Sequence, residues 1–381
     1  MLDKNQQIIN QIKKANKILI TGYISWNEEV LLSSLSMKLI LEKIGKKCDI
    51  VLENDDDKNY LKPPLEIFSI FKGFDKIKKN LDNLSDFIIS LNLENSQIEK
   101  VKYKVTDKNL NFYITPSNGY FSENDVKTKS SPFKYDLIIV LGTPDLDSLG
   151  QIYEKATDFF FKTPIINIDN HAANEEFGQV NLVDLNKTSI SEIIFDIFSN
   201  SDQNYFNNDV FDCLLAGIIY KTKNFKTPVT PQTLSATYNL ITLGADKEKI
   251  MKEFYRSRDL NVFKLWGRAL NNLARLKDRN NLIWTTLSEN DFSETETKEG
   301  HLSNLIDEII INIPGIDALI VFYKIKDESN VVIYSQRNIN LNKLFESYKP
   351  NGNNNFIQIK TKERIQEIKG NVIKKLKEEL K

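Results

Sequence analysis

The sequence predicts an α/β protein: a parallel sheet with helices on both faces, a helical connector and a smaller C-terminal α/β domain. Three observations predict it. Short apolar runs at 17–21, 48–52, 135–142 and 165–168 end on polar residues or glycine, as strands buried on both faces do. Helical patterns alternate with these runs, as in Val30 to Ile44, which is apolar at 31, 32, 35, 39 and 40 and is stopped by Gly45. After Asp278-Arg279-Asn280-Asn281 the pattern restarts with new strands, and 381 residues is a length for two to three domains.

In order, residues 3–14 read as a lead-in helix. The strand 17–21, the loop 22–29, the amphipathic helix 30–44 and the strand 48–52 make a β-α-β unit. A polar loop at 54–58 and Pro63-Pro64 precede a short helix. The run 86–91 is expected as another buried strand. Residues 101–115 alternate and break at Asp107-Lys108-Asn109, which predicts a hairpin. Residues 122–131 are polar and expected to be exposed. The strand 135–142 follows, then a helix over 144–156, a strand at 165–168 and a second short strand at 180–183. Ser189, with Glu192 three residues on, is placed to head a capping box for the next helix. Helices are expected at 213–225 and at 230–244, where Thr230 caps, Pro231 is first and Gly244 stops. Two more, 246–255 and 260–277, form a connector. The last part holds strands at 281–287, 317–325, 331–337 and 356–360, a helix at 302–311 opened by His301, Ser303 and Asn304, and a charged tail helix at 361–381. The expected divisions are 1–229, 230–279 and 280–381.

The totals exclude several classes. Net charge is −1 and the isoelectric point about 6.3, so no overall basic field draws nucleic acid. Cys48 and Cys213 each open an apolar stretch and read as small hydrophobes, not as a disulfide or metal site. Only His171 and His301 are present, which excludes a His-rich metal site. No signal peptide is visible and no apolar run approaches the ~18 residues of a membrane span, so a soluble cytoplasmic protein is expected.

The triplet Asp169-Asn170-His171 closes the strand 165–168, and the carboxyl ends of parallel strands are where open α/β sheets place their ligands. With Thr188, Ser189 and a helix carrying an early Glu192, this stretch resembles the DHH phosphoesterase family. There the triplet is Asp-His-His. The resemblance runs over nearly the whole chain and follows a DHH domain plus a DHH-associated domain, in the oligoribonuclease and cyclic-dinucleotide phosphodiesterase branch. It implies two divalent metals, Mn²⁺ or Mg²⁺, held by carboxylates and imidazoles and activating a water against a phosphate.

Carried over one position at a time, the ligands implied by the resemblance are mostly replaced. The first motif, His-x-x-x-Asp-x-Asp, matches Tyr23, Asn27 and Glu29. The Asp expected after the strand 136–141 is Gly142, although Leu146 and Leu149-Gly150 of that motif persist. The metal-binding His is Asn170. The Asp of an Asp-Thr pair after Gly217-Ile218 is Lys221, followed by Thr222. Five of the six positions lack a good ligand, and Glu29 is one methylene longer than Asp. Lys221 brings a positive charge where a metal would sit, and is expected to pair with Glu29 or Asp169. In the C-terminal domain Ser335-Gln336-Arg337 matches the family's Ser-x-Arg strand. Its Gly-Gly-Gly-His loop becomes 350–355, with Gly352 alone and no His. Asp169, His171 and Arg337 remain as candidates for ligand binding. Asp169 and His171 have a loop-ordering role as the alternative, and Arg337 offers a planar fork for phosphate or carboxylate. Asp145 and Asp147 read as helix caps, Arg256 and Arg258 as a solvated face, and Trp26 as packing or a base-stacking platform.

The expectation is therefore a catalytically inactive homologue that needs no cofactor and acts by binding a nucleotide, a short oligonucleotide or a protein partner. One alternative is an active metal-dependent phosphodiesterase rebuilt around Glu29, Asp169 and His171. Another is a purely structural subunit. The resemblance also implies a homodimer, or pairing with an active relative.

Overall fold

The structure is a computed structural model that describes residues 3–23, 29–53, 65–199, 205–255, 259–276, 282–313, 315–337 and 339–380. Trp26, Asn27, the loop at 54–58, Pro63-Pro64, Arg256 and Arg258 lie outside the described residues, as do the side chains of Ser303 and Asn304.

The chain opens with α1 (Lys4–Lys14), β1 (Lys17–Gly22), α2 (Glu29–Lys43) and β2 (Lys47–Val51). Four strands then leave the body: β3 (Phe87–Leu91), β4 (Ile98–Thr106), β5 (Asn109–Pro116) and β6 (Val126–Ser130). The chain returns with β7 (Leu137–Leu141), the short helices α3 (Gln151–Glu154) and α4 (Thr157–Lys162), β8 (Ile165–Asp169), β9 (Val180–Val183) and α5 (Ile190–Ser199). The resulting sheet is wholly parallel, in the order β2-β1-β7-β8-β9. Alternate residues feed two cores. Ile18, Ile20, Ile139 and Ile166 meet α1, α2 and α5, while Leu19, Ile138, Val140 and Ile165 meet Ile152, Phe159 and Phe160 of α3 and α4.

Helices α6 (Asn208–Lys221), α7 (Pro231–Thr242), α8 (Lys247–Tyr255) and α9 (Leu260–Asn271) follow. Pairing of α6 and α5 against α2 makes α2 buried all round from Glu29 to Leu41, not amphipathic as its sequence suggests. The C-terminal domain contains β10 (Ala274–Arg275), β11 (Leu282–Leu287), α10 (Glu289–Glu294), α11 (Leu302–Asn312), β12 (Ala318–Ile325), β13 (Glu328–Ser335), α12 (Leu341–Leu344), β14 (Asn351–Gly352), β15 (Phe356–Thr361) and α13 (Ile365–Glu379). Its sheet is mixed, in the order β10-β11-β12-β13-β15-β14, with only β11 and β12 parallel. Leu319, Val321 and Tyr323 pack under α9, α10 and α11, and Ile320 and Phe322 under α12 and α13. Ion pairs from Lys223 to Asp307, and from Lys226 to Glu308 at 2.7 Å, tie the end of α6 to α11.

Several expectations need correction. The run 86–91 is not buried in the parallel sheet: it is β3, exposed and antiparallel to β6. An apolar run does not show which strand pairs with it, and here the partner lies in the polar stretch 122–131, which is exposed as expected. The helix expected at 144–156 is interrupted at Gly150, where φ is +57° and a Cβ would lie 2.6 Å from Glu53 Oε2. The connector helix ends at Asn271, because the chain turns into β10, and the tail helix starts at Ile365, because β15 runs to Thr361.

Candidate ligand site at the strand ends

Three parallel strands end side by side, and Gly22, Gly142 and Asp169 mark the place. Gly22 is opposite Leu141 in register, and Leu141 is opposite Ile168. A Cβ at Gly22 would lie 2.3 Å from the Leu141 carbonyl oxygen and 2.7 Å from Val30 Cγ1, so β1 and α2 close on β7 only around a glycine.

A polar chain stitches these ends together. Tyr23 donates its backbone N–H to Thr143 Oγ1 at 2.9 Å. Asn174 donates its amide to the Thr143 carbonyl at 2.8 Å and to Asp169 Oδ2 at 2.8 Å. Asp169 is fully buried. Its Oδ1 accepts the Asn170 N–H at 2.8 Å and lies 2.7 Å from His171 Nδ1. Burial works to raise the Asp169 carboxyl, but His171, Asn174 and the Asn170 N–H together hold it below the usual range. His171 is partly exposed, and its Nε2 is not engaged by any described residue. With Nδ1 held by Asp169, the ring is oriented.

Asn170 faces elsewhere. Its amide donates to the carbonyls of Lys187 and Thr188, each at 3.0 Å, and anchors the loop before α5. Asn174 and Thr143 had no assigned role in the sequence reading. Their signal was faint: two polar residues beside strand ends.

Below this layer lies a second carboxylate. Glu29, at the start of α2, is 1% exposed. Its Oε1 accepts from Ser33 Oγ at 2.9 Å and from the Ser191 N–H at 3.0 Å, and its Oε2 has no hydrogen-bond partner among the described residues. Burial pushes the Glu29 carboxyl up, and the Lys221 charge at the end of α6 is the strongest opposing influence, ahead of Ser191 and Ser33. Of the two carboxylates considered as partners for Lys221, it is Glu29 that feels it. Glu192 is buried as well, and among the described residues neither oxygen has a hydrogen bond of ordinary geometry, the Thr233 side chain being its nearest polar support. Burial pushes its carboxyl up to about 7, which Thr233 and Lys187 offset only in part, and Glu29 adds like-charge repulsion. The capping box is half formed: Ser189 Oγ accepts the Glu192 N–H at 3.2 Å, while the Glu192 side chain does not return the bond.

The remaining candidates sit apart from the triplet. Arg337 follows β13 in the second domain and donates Nε to Asp317 Oδ1 at 2.6 Å, with most of its side chain exposed. Asp317 was not foreseen as its partner. Gly352 serves the β14–β15 turn: φ is +142°, and a Cβ would lie 2.1 Å from the Phe356 carbonyl oxygen. The turn's N–H groups are engaged, Asn353 with the Phe356 carbonyl at 2.8 Å and Asn355 and Phe356 with Asn353 Oδ1, both at 2.9 Å. They are not free to cradle a phosphate. Asp145 caps as expected, accepting the Ser148 N–H at 2.7 Å. A surface cavity of about 300 Å³ lies near Asp209 and Asp212, at the far end of α6 from Lys221. Two ion pairs line it, Lys72 with Asp209 and Lys249 with Asp212, beside Asp75.

The donor set does not suit two divalent metals. Gly142 has no side chain, the Asn170 amide is turned to backbone carbonyls, and Lys221 brings a cation beside Glu29. Among the described residues no group of three or more His, Cys, Asp or Glu could hold a metal ion.

Comparisons with known proteins agree with this architecture. The bifunctional oligoribonuclease and PAP phosphatase NrnA of Bacillus subtilis is 25% identical over 191 residues, 49% of this chain and 59% of that protein. NrnA of Thermus thermophilus is 26% identical over 111 residues, 29% of this chain and 34% of that protein. The crystal structure of an exopolyphosphatase-related protein from Bacteroides fragilis superposes with a TM-score of 0.72 at 15% identity, over 98% of this chain and 96% of that one. In fold and over part of its sequence the chain is similar to proteins of the DHH phosphoesterase family. No family model matches it. The aligned parts span 59% and 34% of the two NrnA proteins, so the DHH relationship carries the fold, while the activity of those proteins is not transferred with it. No helix among the described residues is long and apolar enough to cross a membrane.

Proposed function

We propose that this DHH protein does not hydrolyse phosphoesters and acts by binding a nucleotide or short oligonucleotide at the strand ends. The observation that carries this reading is Lys221 beside the buried Glu29. Burial pushes the Glu29 carboxyl up, and a chain-borne cation is the strongest influence opposing it, where a metal would otherwise act. His171 is the contact for a ligand phosphate, its ring set by Asp169 and its Nε2 unengaged. The relatives are named for action on oligoribonucleotides and PAP, which makes a phosphorylated nucleotide the class of ligand to try first.

The test measures metal content, hydrolysis and binding on one sample. Mn²⁺ is added, a dinucleotide and a cyclic dinucleotide are supplied, and wild type is compared with Lys221→Asp and His171→Ala. The expected result is no stoichiometric metal, no turnover, and dinucleotide binding that weakens at least tenfold in His171→Ala. Stoichiometric metal with chelator-sensitive turnover by the wild type overturns the reading in favour of a rebuilt phosphodiesterase site. Absence of binding overturns it in favour of a structural subunit.

A further inference from the structure

The four-stranded excursion between β2 and β7 is an arm made of two antiparallel ribbons, β3 with β6 and β4 with β5. Each ribbon packs chiefly on itself. A lone two-stranded ribbon is marginal in water, so an arm of this length needs a cover for one face.

The register shows which face. Opposite residues share a side of the ribbon. Val101 faces Ile114, Tyr103 faces Phe112 and Val105 faces Leu110. One side of the tip is therefore apolar without interruption. The other side carries Lys100, Lys102 and Lys104 opposite Thr115, Tyr113 and Asn111. The base ribbon is divided in the same way, with Phe87, Ile89, Leu91 and Val126 on one side and Lys127 and Lys129 on the other. The apolar tip is open to solvent: Tyr103 is 71% exposed, Val105 69%, Val101 and Leu110 54% each, and Phe112 49%. An uncovered apolar strand face of this kind marks an interaction surface.

We propose that this face is the contact between two copies of the chain, tip against tip. It carries no charge of either sign, so a two-fold axis laid on it brings no like charges together. The lysines point away from the joint and stay hydrated. Face-to-face ribbons can stack at the ordinary ~10 Å sheet spacing. The five exposed side chains offer on the order of 600 Å² per copy, so a pair buries roughly 1,200 Å², the lower bound for a stable specific interface. An anionic partner is disfavoured: residues 86–131 hold six lysines and six carboxylates, and the lysines lie on the wrong side.

The test is sedimentation of the full chain at several micromolar concentrations, comparing wild type, the tip-face variant Tyr103→Lys/Phe112→Lys and the back-face variant Lys102→Gln/Lys104→Gln. Wild type and the back-face variant are expected at twice the 44.0 kDa chain mass. The tip-face variant is expected as monomer, or with a dissociation constant raised at least tenfold, and its melting temperature should no longer rise with protein concentration as that of the wild type does. Amide exchange on the wild type needs no variant, and protection at 98–116 should rise with concentration. A wild type that sediments as monomer, a tip-face variant with the wild-type dissociation constant, or concentration-independent exchange at 98–116 each overturns the proposal. A monomer that co-sediments with anionic vesicles overturns it in favour of a lipid surface.

Discussion

Glu192→Gln tests the reading of the buried layer most directly. Glu192 is 0% exposed, and among the described residues neither oxygen has a hydrogen bond of ordinary geometry. Its carboxyl is pushed from the ordinary 4.5 up to about 7. The folded state therefore holds the proton more tightly than the unfolded state. The stability this adds is complete below about pH 4.5 and is lost as the pH rises through about 7. A full shift of that size is about 3 kcal/mol, and relaxation of the protein around the charged form trims it to about 2 kcal/mol. Glutamine has the same shape and no charge. Its amide still lacks partners, so some desolvation cost remains. The variant should match the wild type within about 1 kcal/mol at pH 5 and exceed it by about 1–2 kcal/mol at pH 8. Urea unfolding at the two pH values measures this, with equal slopes required for a two-state comparison. A wild-type stability flat from pH 5 to 8, or a variant weaker at pH 8 than at pH 5 relative to wild type, refutes the reasoning.

Other outcomes follow from the same geometry. Asp169→Asn should lower stability by about 2–3 kcal/mol at pH 7, since His171 and the Asn170 N–H lose a charged acceptor; the gap should close as pH falls below the ordinary carboxylate range, because the depressed native carboxyl gives stability only while ionised. Gly217→Ala would put a Cβ 2.0 Å from Ser191 Oγ, and should cost about 2–3 kcal/mol, with part recovered in Gly217→Ala/Ser191→Ala, as thermal melts of the three variants would show. Lys221→Met removes the charge that holds Glu29 down; the Glu29 carboxyl should rise further, and stability should fall by about 1–3 kcal/mol at pH 8 and by less at pH 5, read by urea unfolding.

The parallel sheet and the strand-end triplet were legible because both rest on local pattern. Ile165, Ile166 and Ile168 are apolar and Asp169 follows them, so the sequence shows both the strand and where it ends. The environment of Glu192 was hidden. Spacing from Ser189 suggested a capping box, but whether the carboxylate reaches back depends on α7 and on Glu29, which are remote in sequence. Arg337 shows the same limit. Its planar fork was visible, whereas Asp317, twenty residues earlier, became its partner only through the β12–β13 pairing. The arm was half legible. The hairpin at 101–115 shows in its alternation, yet the pairing of 87–91 with 126–130 joins an apolar run to a lysine-rich one, and no local rule links them.

Glu29 is held by groups of the chain itself. A buried carboxylate needs a positive neighbour or strong donors, and here Lys221, the Ser33 hydroxyl and the Ser191 N–H supply them from within the chain. A cation carried on α6 is present in every folded molecule and cannot be chelated. A bound metal would make stability depend on its concentration, adding about 2.7 kcal/mol at a hundredfold excess over the dissociation constant. The urea midpoint should therefore be the same with a chelator and with excess Mn²⁺. Lys221→Asp reverses the local charge, and Mn²⁺ should stabilise that variant if the surrounding oxygens can close around it. A wild-type midpoint that falls on chelation, or rises with Mn²⁺ in a saturable way, would mean that Glu29 serves a metal after all, with Lys221 as its neighbour and not its replacement.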